Sequence, residues 1–220
     1  MKDFCMDEWL KEYVRSVKDC FNNRIEFIGI QGSFARGEAT QSSDIDVVLL
    51  LDTFSYEDLK RYENAIKDME YREKVCGFIS GIREMENWNR ADLFTFYYDT
   101  NPLYGSMDWL GERIEKSDIL NAVNRDVCDI YHLCVHNGIH EKSGEILKAL
   151  LKKAVFVFRA KYFYKTGVYI QSKSDMLKAL DGDDREILIL SMKPIQEIDF
   201  DEGTQSLMEW AGNLIKQENF

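Results

Sequence analysis

Apolar positions in the first half of the chain follow two different periods. Between positions 6 and 21 they recur every three or four residues, which predicts an amphipathic helix. Positions 25–30 and 45–51 are instead almost continuous apolar runs of strand length, and 74–81 and 92–99 are rich in strand-forming residues. A surface helix over 56–69, with alternating charged and apolar residues, separates the second strand from the third. This half is therefore predicted to contain a sheet flanked by helices, with a last short strand at 103–105.

The strand pattern ends near position 108, and helical periodicity continues from there to the end of the sequence. The predicted helices span 109–115, 117–137, 141–165, 175–180, 184–193 and 203–216. We therefore expect an α/β (α+β) domain with a mixed sheet over 1–107, followed by an all-helical bundle domain over 108–220.

Composition narrows the possible partners. The 220 residues carry a formal net charge of −11, which argues against binding to duplex nucleic acid and is compatible with a cationic small molecule. The five cysteines are scattered and are expected to be reduced thiols. No secretory signal and no apolar run of membrane-spanning length are visible, so we expect a cytoplasmic protein with no membrane partner. A homodimer is left open.

Two glycines and a serine follow the first predicted strand, in the run Gly32-Ser33-Phe34-Ala35-Arg36-Gly37-Glu38. Gly32 and Gly37 lack a Cβ atom, so their backbone can adopt conformations closed to other residues and can approach a ligand closely. Ser33 adds a hydroxyl and an N–H group beside them. The run is therefore a candidate cradle for phosphate oxygens.

Two aspartates follow within ten residues, in Ser43-Asp44-Ile45-Asp46. Side chains two apart on a strand leave the same face, so Asp44 and Asp46 are expected to lie close together. Two such carboxylates repel each other unless a cation neutralises them. Magnesium is commonly held by one or two carboxylates together with substrate phosphates, which makes this pair a candidate magnesium site.

Together, Gly32-Ser33, the short spacer and Asp44-Ile45-Asp46 resemble the signature of the polymerase-β-like nucleotidyltransferase superfamily. The resemblance is greatest to minimal nucleotidyltransferases and to the aminoglycoside and lincosamide nucleotidyltransferases. It implies that Gly32 and Ser33 hold a nucleoside triphosphate, ATP or another, and that Asp44 and Asp46 hold magnesium as a pair of ions.

Two aspartates from one strand do not usually hold two metal ions, so we expect a third carboxylate on a neighbouring strand. Asp92 is the choice, because Ala91-Asp92-Leu93-Phe94 resembles the third-carboxylate strand of the minimal nucleotidyltransferases. A turn or strand-start aspartate is the alternative interpretation. The general base stays open among Asp92, Glu84, Glu86 and other groups.

Three further residues are candidates for contacts to the nucleotide, and each has a simpler structural role as its alternative. Arg36 either contacts phosphate or pairs with Glu38, and Ser43 either caps the turn or contacts the triphosphate. Arg159, Thr166-Gly167 and Lys173 resemble a pattern in the helical domain of the streptomycin/spectinomycin adenylyltransferases. In that family the lysine reaches the phosphates, which implies the same role for Lys173 and has an exposed lysine as its alternative.

The three histidines recur every fourth residue, at His132, His136 and His140. They are interpreted as surface or interfacial residues in preference to a metal site.

These features predict an enzyme, a magnesium-dependent nucleotidyltransferase that moves a nucleoside monophosphate, AMP from ATP, onto a hydroxyl group. The resemblance implies a small-molecule acceptor of aminoglycoside or lincosamide type, and thus a role in antibiotic resistance. The alternative is an antitoxin-like protein that modifies or masks a HEPN-type protein partner. A binding protein without catalysis is disfavoured by the intact Asp44 and Asp46.

Overall fold

The computed structural model describes residues 5–41 and 43–217. Its strands are β1 (Ile25–Ile30), β2 (Ile45–Leu51), β3 (Val75–Gly81) and β4 (Asn101–Gly105). Its α-helices are α1 (Met6–Phe21), α2 (Gly32–Ala35), α3 (Tyr56–Ile66), α4 (Ile82–Glu86), α5 (Arg90–Tyr98), α6 (Asp108–Gly111), α7 (Lys116–His136), α8 (Gly144–Thr166), α9 (Lys173–Ala179), α10 (Gly182–Met192) and α11 (Phe200–Ile215). A π-helical turn, Asn137–Glu141, and 3-10 turns at Asn22–Arg24, Arg72–Lys74 and Ile195–Glu197 complete the regular structure.

The four strands form one mixed sheet in the order β3-β2-β1-β4. β1 runs antiparallel to β2 and β4, whereas β2 runs parallel to β3. In the parallel pair Asp46 lies opposite Cys76, which fixes the neighbour of one candidate site residue. The prediction of a mixed sheet followed by a helical region is confirmed.

The core beside the sheet explains why α1 forms where the periodicity predicts it. Trp9, Tyr13 and Val17 are buried on one face of α1 and pack with the apolar residues of β1 and β2. The buried hydroxyls of Tyr13 and Tyr62 lie 3.1 Å apart and satisfy each other, which joins α1 to α3. Burial of this apolar stripe is the main source of stability for the helix.

Contacts divide the chain into two compact units. The first comprises Met1–Asn89 and Phe96–Arg113, and the second comprises Arg90–Thr95 and Ile114–Phe220. Within the second unit α7, α8, α10 and α11 form a helical bundle, in which Phe158 packs edge-on against Trp210 with ring centroids 5.3 Å apart. The predicted domain bounds, 1–107 and 108–220, stay a prediction.

The predicted strand over 92–99 is wrong, because this segment lies in the helix α5. Its residues are good strand formers, but strand propensity is weak against tertiary packing. Phe94 packs against Phe163 and Tyr169 in the second unit, while Phe96 packs against Phe78 in the first. Phe94 and Phe96 therefore make contacts in two different directions. On a regular strand, residues two apart point to the same face, so a strand could not make both sets of contacts.

The other predicted elements agree with the structure to within a few residues. α8 ends at Thr166 and is capped by Gly167, whose φ of 73° is the left-handed conformation that favours glycine at a helix C-terminus. Within the described residues, no helix combines the length and the apolar character that a bilayer crossing needs.

One ion pair of the first unit gives a prediction about stability. Asp58 accepts hydrogen bonds from Arg24 at 2.6 and 3.2 Å and from Ser55, whose hydroxyl caps α3. These bonds, those of Arg24 first, lower the pKa of Asp58 to about 2. Asp58→Asn is expected to reduce the free energy of unfolding at neutral pH by about 2 kcal/mol, since a buried charge-assisted hydrogen bond is lost.

The pH dependence of this difference follows from the sign of the shift. A lowered pKa stabilises the folded state above the unfolded pKa, near pH 4, and this contribution is lost as the pH falls towards 2. Urea unfolding at pH 7 and pH 3 should therefore show the gap between wild type and Asp58→Asn narrowing with acid. Glu63→Gln, which removes an exposed pair with Lys60 on the same helix, should change little. A gap that stays constant with pH would contradict the assignment.

Candidate active site

Asp44 and Asp46 lie at the start of β2, at the end of the sheet that faces the glycine-rich turn. Asp44 immediately precedes the strand and is exposed, whereas Asp46 is its second residue and is half-buried. Burial, and then the negative charge of Asp44, raise the pKa of Asp46, while Arg36 and a hydrogen bond from Cys76 act in the opposite direction. Ionised Asp46 is therefore held at some cost, which a bound cation would relieve.

Gly32 lies directly against the carboxylate of Asp46. Its φ is +70°, and a Cβ atom at this position would lie 1.8 Å from Asp46 Oδ2. Glycine is thus required twice, for the left-handed backbone and for the close approach. The group that the Gly32 backbone approaches in the structure is the Asp46 side chain, while the close approach to a ligand stays a prediction.

The turn that carries Gly32 and Ser33 is a single helical turn, α2, which is held at both ends. Before it, the N–H group of Gln31 donates to the carbonyl of Asp46 at 2.7 Å, and the Gln31 amide donates to the Thr100 hydroxyl at 2.6 Å. After it, the Asn101 amide donates to the carbonyl of Ala35 at 2.9 Å. The signature turn is therefore fixed from β2 on one side and from the start of β4 on the other.

Arg36 is used as an ion-pair residue in this structure. Its guanidinium pairs with Glu38 at 3.3 Å and with the buried Asp99. The predicted pairing of Arg36 with Glu38 is confirmed, while a phosphate contact stays a prediction. Its charge still acts on Asp46, so Arg36 favours an ionised carboxylate in the site.

Ser43 closes the loop before β2. Its hydroxyl accepts from the N–H group of Thr40 at 2.9 Å, and its own N–H group donates to the Thr40 carbonyl at 3.0 Å. The interpretation that Ser43 caps this turn is confirmed, and a contact to triphosphate stays a prediction.

Asp92 does not begin the strand that the sequence predicted. It lies in the first turn of α5, within the second unit, and pairs with Arg125 at 2.6 Å. The expectation that Asp92 begins a strand is therefore wrong, whereas its role as a metal ligand stays a prediction. A helix instead of a strand at this point follows from the aromatic packing of α5 described above.

Cys76 takes the place beside Asp46 on the neighbouring strand. It is exposed, lies opposite Asp46 in the parallel register of β2 and β3, and donates a thiol hydrogen bond to the Asp46 carboxylate. Burial, followed by the charges of Asp46 and Asp44, raises the pKa of the Cys76 thiol. Sequence reasoning treated Cys76 only as a reduced thiol, because strand register is not visible in the sequence.

Lys173 begins α9 in the second unit, directly after the helix cap Ser172. Burial lowers the pKa of Lys148, and the positive charges of Lys173 and Lys152 lower it further. These three lysines form a local concentration of positive charge in an otherwise acidic chain. Such a concentration suits an anionic ligand.

The three histidines of the chain, a residue type that often binds metals, lie on the surface. The rings of His136 and His140 lie 4.6 Å apart, and all three histidines are exposed, in agreement with their interpretation as surface residues. Across residues 5–41 and 43–217, no three His, Cys, Asp or Glu side chains are grouped so that they could hold a metal ion.

The class of protein to which the sheet and the glycine–aspartate arrangement belong is given by a comparison with known families. Residues 10–98 match the family model described as a nucleotidyltransferase domain, so this part of the chain is a domain of that family. The predicted membership of the nucleotidyltransferase superfamily is confirmed.

Two curated relatives come from Methanocaldococcus jannaschii, and each is described as a "putative protein adenylyltransferase". One is 36% identical over 70 residues, which is 32% of this chain and 65% of the relative. The other is 42% identical over 48 residues, which is 21% of this chain and 48% of the relative. The matches thus span about two thirds and one half of the relatives' lengths.

A solved structure is similar over almost the whole chain. It is the spectinomycin adenyltransferase AAD(9) from Enterococcus faecialis, crystallised with ATP and spectinomycin. The TM-score is 0.61 at 14% sequence identity, with 97% of this chain and 100% of that chain covered. This similarity shows the fold, including the helical part that lies outside the family model.

Proposed function

We propose that the chain is an adenylyltransferase, which moves AMP from ATP to a hydroxyl group of a small molecule. The observation that carries the proposal is the packing of the Gly32 backbone against the Asp46 carboxylate with Asp44 beside it. A phosphate-binding turn and two acidic side chains thus meet at one end of the sheet. The ATP and spectinomycin bound to the structural neighbour support this choice of nucleotide and acceptor class.

The carboxylates fit magnesium in their chemistry. Hard oxygen donors are what this ion prefers, and the cost of ionised Asp46 beside Asp44 favours a bound cation. Asp44 and Asp46 would hold the ion, which when bound polarises the phosphate and neutralises developing charge. The N–H groups of Gly32 and Ser33 begin α2, where a helix has no internal partners for them, and they are suited to phosphate oxygens.

The transfer balances as a displacement at the α-phosphorus. The acceptor oxygen forms a bond to this phosphorus, the bond from phosphorus to the bridging oxygen breaks, and pyrophosphate leaves. The hydroxyl proton passes to a general base. In this proposal Lys173 helps to neutralise the negative charge of the phosphates. The concentration of positive charge that Lys173 forms with Lys148 and Lys152 supports this role.

A nucleotide and acceptor panel tests the proposal. The purified chain is mixed with Mg²⁺ and each of ATP, GTP, CTP and UTP, with and without aminoglycosides and lincosamides. ATP with Mg²⁺ at about a hundred times its dissociation constant should raise the melting temperature by roughly 5 °C or more, as expected for tight ligand binding. An accepted acceptor should also release pyrophosphate and gain the mass of one AMP group.

The control is the same panel with EDTA, which should abolish both effects. If no nucleotide stabilises the chain in the presence of Mg²⁺, the proposed activity is wrong. If ATP binds but none of the small molecules is modified, the acceptor class is wrong while the nucleotide site stands.

A protein acceptor is the second candidate. The two curated relatives are each described as a "putative protein adenylyltransferase". In this alternative the chain modifies or masks a HEPN-type partner, as an antitoxin-like protein does. Incubation with radiolabelled ATP and cell extract distinguishes the two, because a labelled polypeptide would support the protein acceptor.

A further inference from the structure

A cation held by Asp44 and Asp46 could take a further protein ligand from the strands on either side of β2. On one side lies β3, where Cys76 occupies the position opposite Asp46 and donates to its carboxylate. The sequence of β3, Val-Cys-Gly-Phe-Ile-Ser-Gly, contains no acidic residue. This strand therefore presents a thiol where a third carboxylate would be needed.

On the other side lies β1, which contributes no carboxylate near Asp46. Gln31, which follows β1 directly, binds the Asp46 carbonyl through its N–H group at 2.7 Å, and its side chain is taken up by Thr100. The acidic residue of β1, Glu26, belongs to the opposite end of the sheet, where Ile25 pairs with Leu51. Both sheet neighbours of Asp46 are thus uncharged.

We infer that the site holds a single divalent ion, which binds together with the nucleoside triphosphate, because Cys76 stands where a third carboxylate would complete a metal site on the protein alone. This inference rests on the proposed function and replaces the pair of ions expected from the sequence. Two carboxylates fill only part of the coordination shell of an octahedral ion, and phosphate oxygens of the nucleotide together with water molecules supply the other ligands. Metal and nucleotide therefore bind as one complex.

The binding order has a consequence for metal concentration. A protein with three carboxylates can be loaded with metal before it meets nucleotide, whereas here metal binding is coupled to nucleotide binding and each raises the affinity for the other. Occupancy of the site then follows the concentration of the metal–ATP complex. Cys76 is the residue that determines this behaviour.

Manganese titration followed by electron paramagnetic resonance tests the inference without turnover. The full chain is titrated with Mn²⁺ alone and with Mn²⁺ plus α,β-methylene-ATP, and Mn²⁺ bound by the free analogue is subtracted. The wild type should bind Mn²⁺ weakly alone and one Mn²⁺ per bound analogue. Cys76→Asp, which adds a carboxylate next to Asp46, should bind Mn²⁺ alone at least about tenfold more tightly.

Matched variants separate the carboxylate from other effects. Cys76→Asn has the shape of the aspartate without its charge, and Cys128→Asp adds the same charge at an exposed cysteine of the second unit. Neither should tighten Mn²⁺ binding. If Cys76→Asp fails to fold, the number of Mn²⁺ ions per bound analogue in the wild type tests the single-ion inference by itself.

Two Mn²⁺ ions per analogue in the wild type would overturn the inference. Loss of one of them in Asp92→Asn would then identify Asp92 as the third ligand. Failure of the analogue to bind with any metal would overturn the proposed function as well. Binding of the analogue with two ions would overturn the single-ion inference alone.

Discussion

Asp44→Asn and Asp46→Asn are each expected to lower the rate of nucleotidyl transfer by about a hundredfold to a thousandfold, the size of loss found when a group that stabilises transition-state charge is removed. Each change removes one of the two carboxylates that would hold the metal–triphosphate complex. The measurement is pyrophosphate release with ATP and the acceptor identified in the panel.

The fold should survive these changes. Burial and the charge of Asp44 raise the pKa of Asp46, so ionised Asp46 contributes less to stability as the pH rises through its folded pKa. At pH 7 without metal, Asp46→Asn is therefore expected to unfold at the same urea concentration as the wild type or a higher one. Asp68→Asn, at an exposed acid of the same unit, should retain full activity. Activity within tenfold of wild type in both site variants would refute the site.

Gly32→Ala is expected to reduce activity at least about a hundredfold, the order of loss that follows a displacement of about 1 Å in an active site. The new methyl group would lie 1.8 Å from Asp46 Oδ2, so either the carboxylate or the turn has to move. Nucleotide binding in the thermal-shift assay should fall along with the rate of pyrophosphate release.

Gly182→Ala, outside the signature turn, is the matched control for this variant. Gly182 has a φ of +52°, in the same left-handed region as the +70° of Gly32, but a Cβ atom there meets nothing within 4 Å. Both variants should lose about 1–2 kcal/mol of stability from the left-handed backbone. The loss of nucleotide binding should be confined to Gly32→Ala. Equal effects of the two variants on binding would show that backbone strain, and not contact with Asp46, is responsible.

Much of the fold was accessible from the sequence because its elements are locally encoded. The stripe of α1, the apolar runs of β1 and β2, and the helices after position 108 each follow a period that one face of a core requires. The segment of α5 was missed because its composition is that of a strand, whereas its helical form depends on aromatic partners distant in sequence, Phe163 and Phe78.

The residues of the candidate site were also only partly predictable from the sequence. Gly32 and the two aspartates are close in sequence and form a recognisable spacing, so they could be named in advance. The proximity of Cys76 to Asp46 depends on the register between two strands joined by a helix, which spacing alone does not define. The wrong strand at Asp92 has a related origin, since this residue was chosen by its place in a motif and not by its place in the sheet.

The bonds from the start of β4 to the signature turn determine how short a working fragment of the first unit can be. The family match ends at residue 98, yet Thr100 and Asn101 hold Gln31 and Ala35, and β4 as a whole covers β1. A fragment that stops at Tyr98 would leave the apolar strand β1 as an open edge, prone to pair with other chains. Residues as far as Gly105 therefore have to be kept if the glycine turn is to retain its shape.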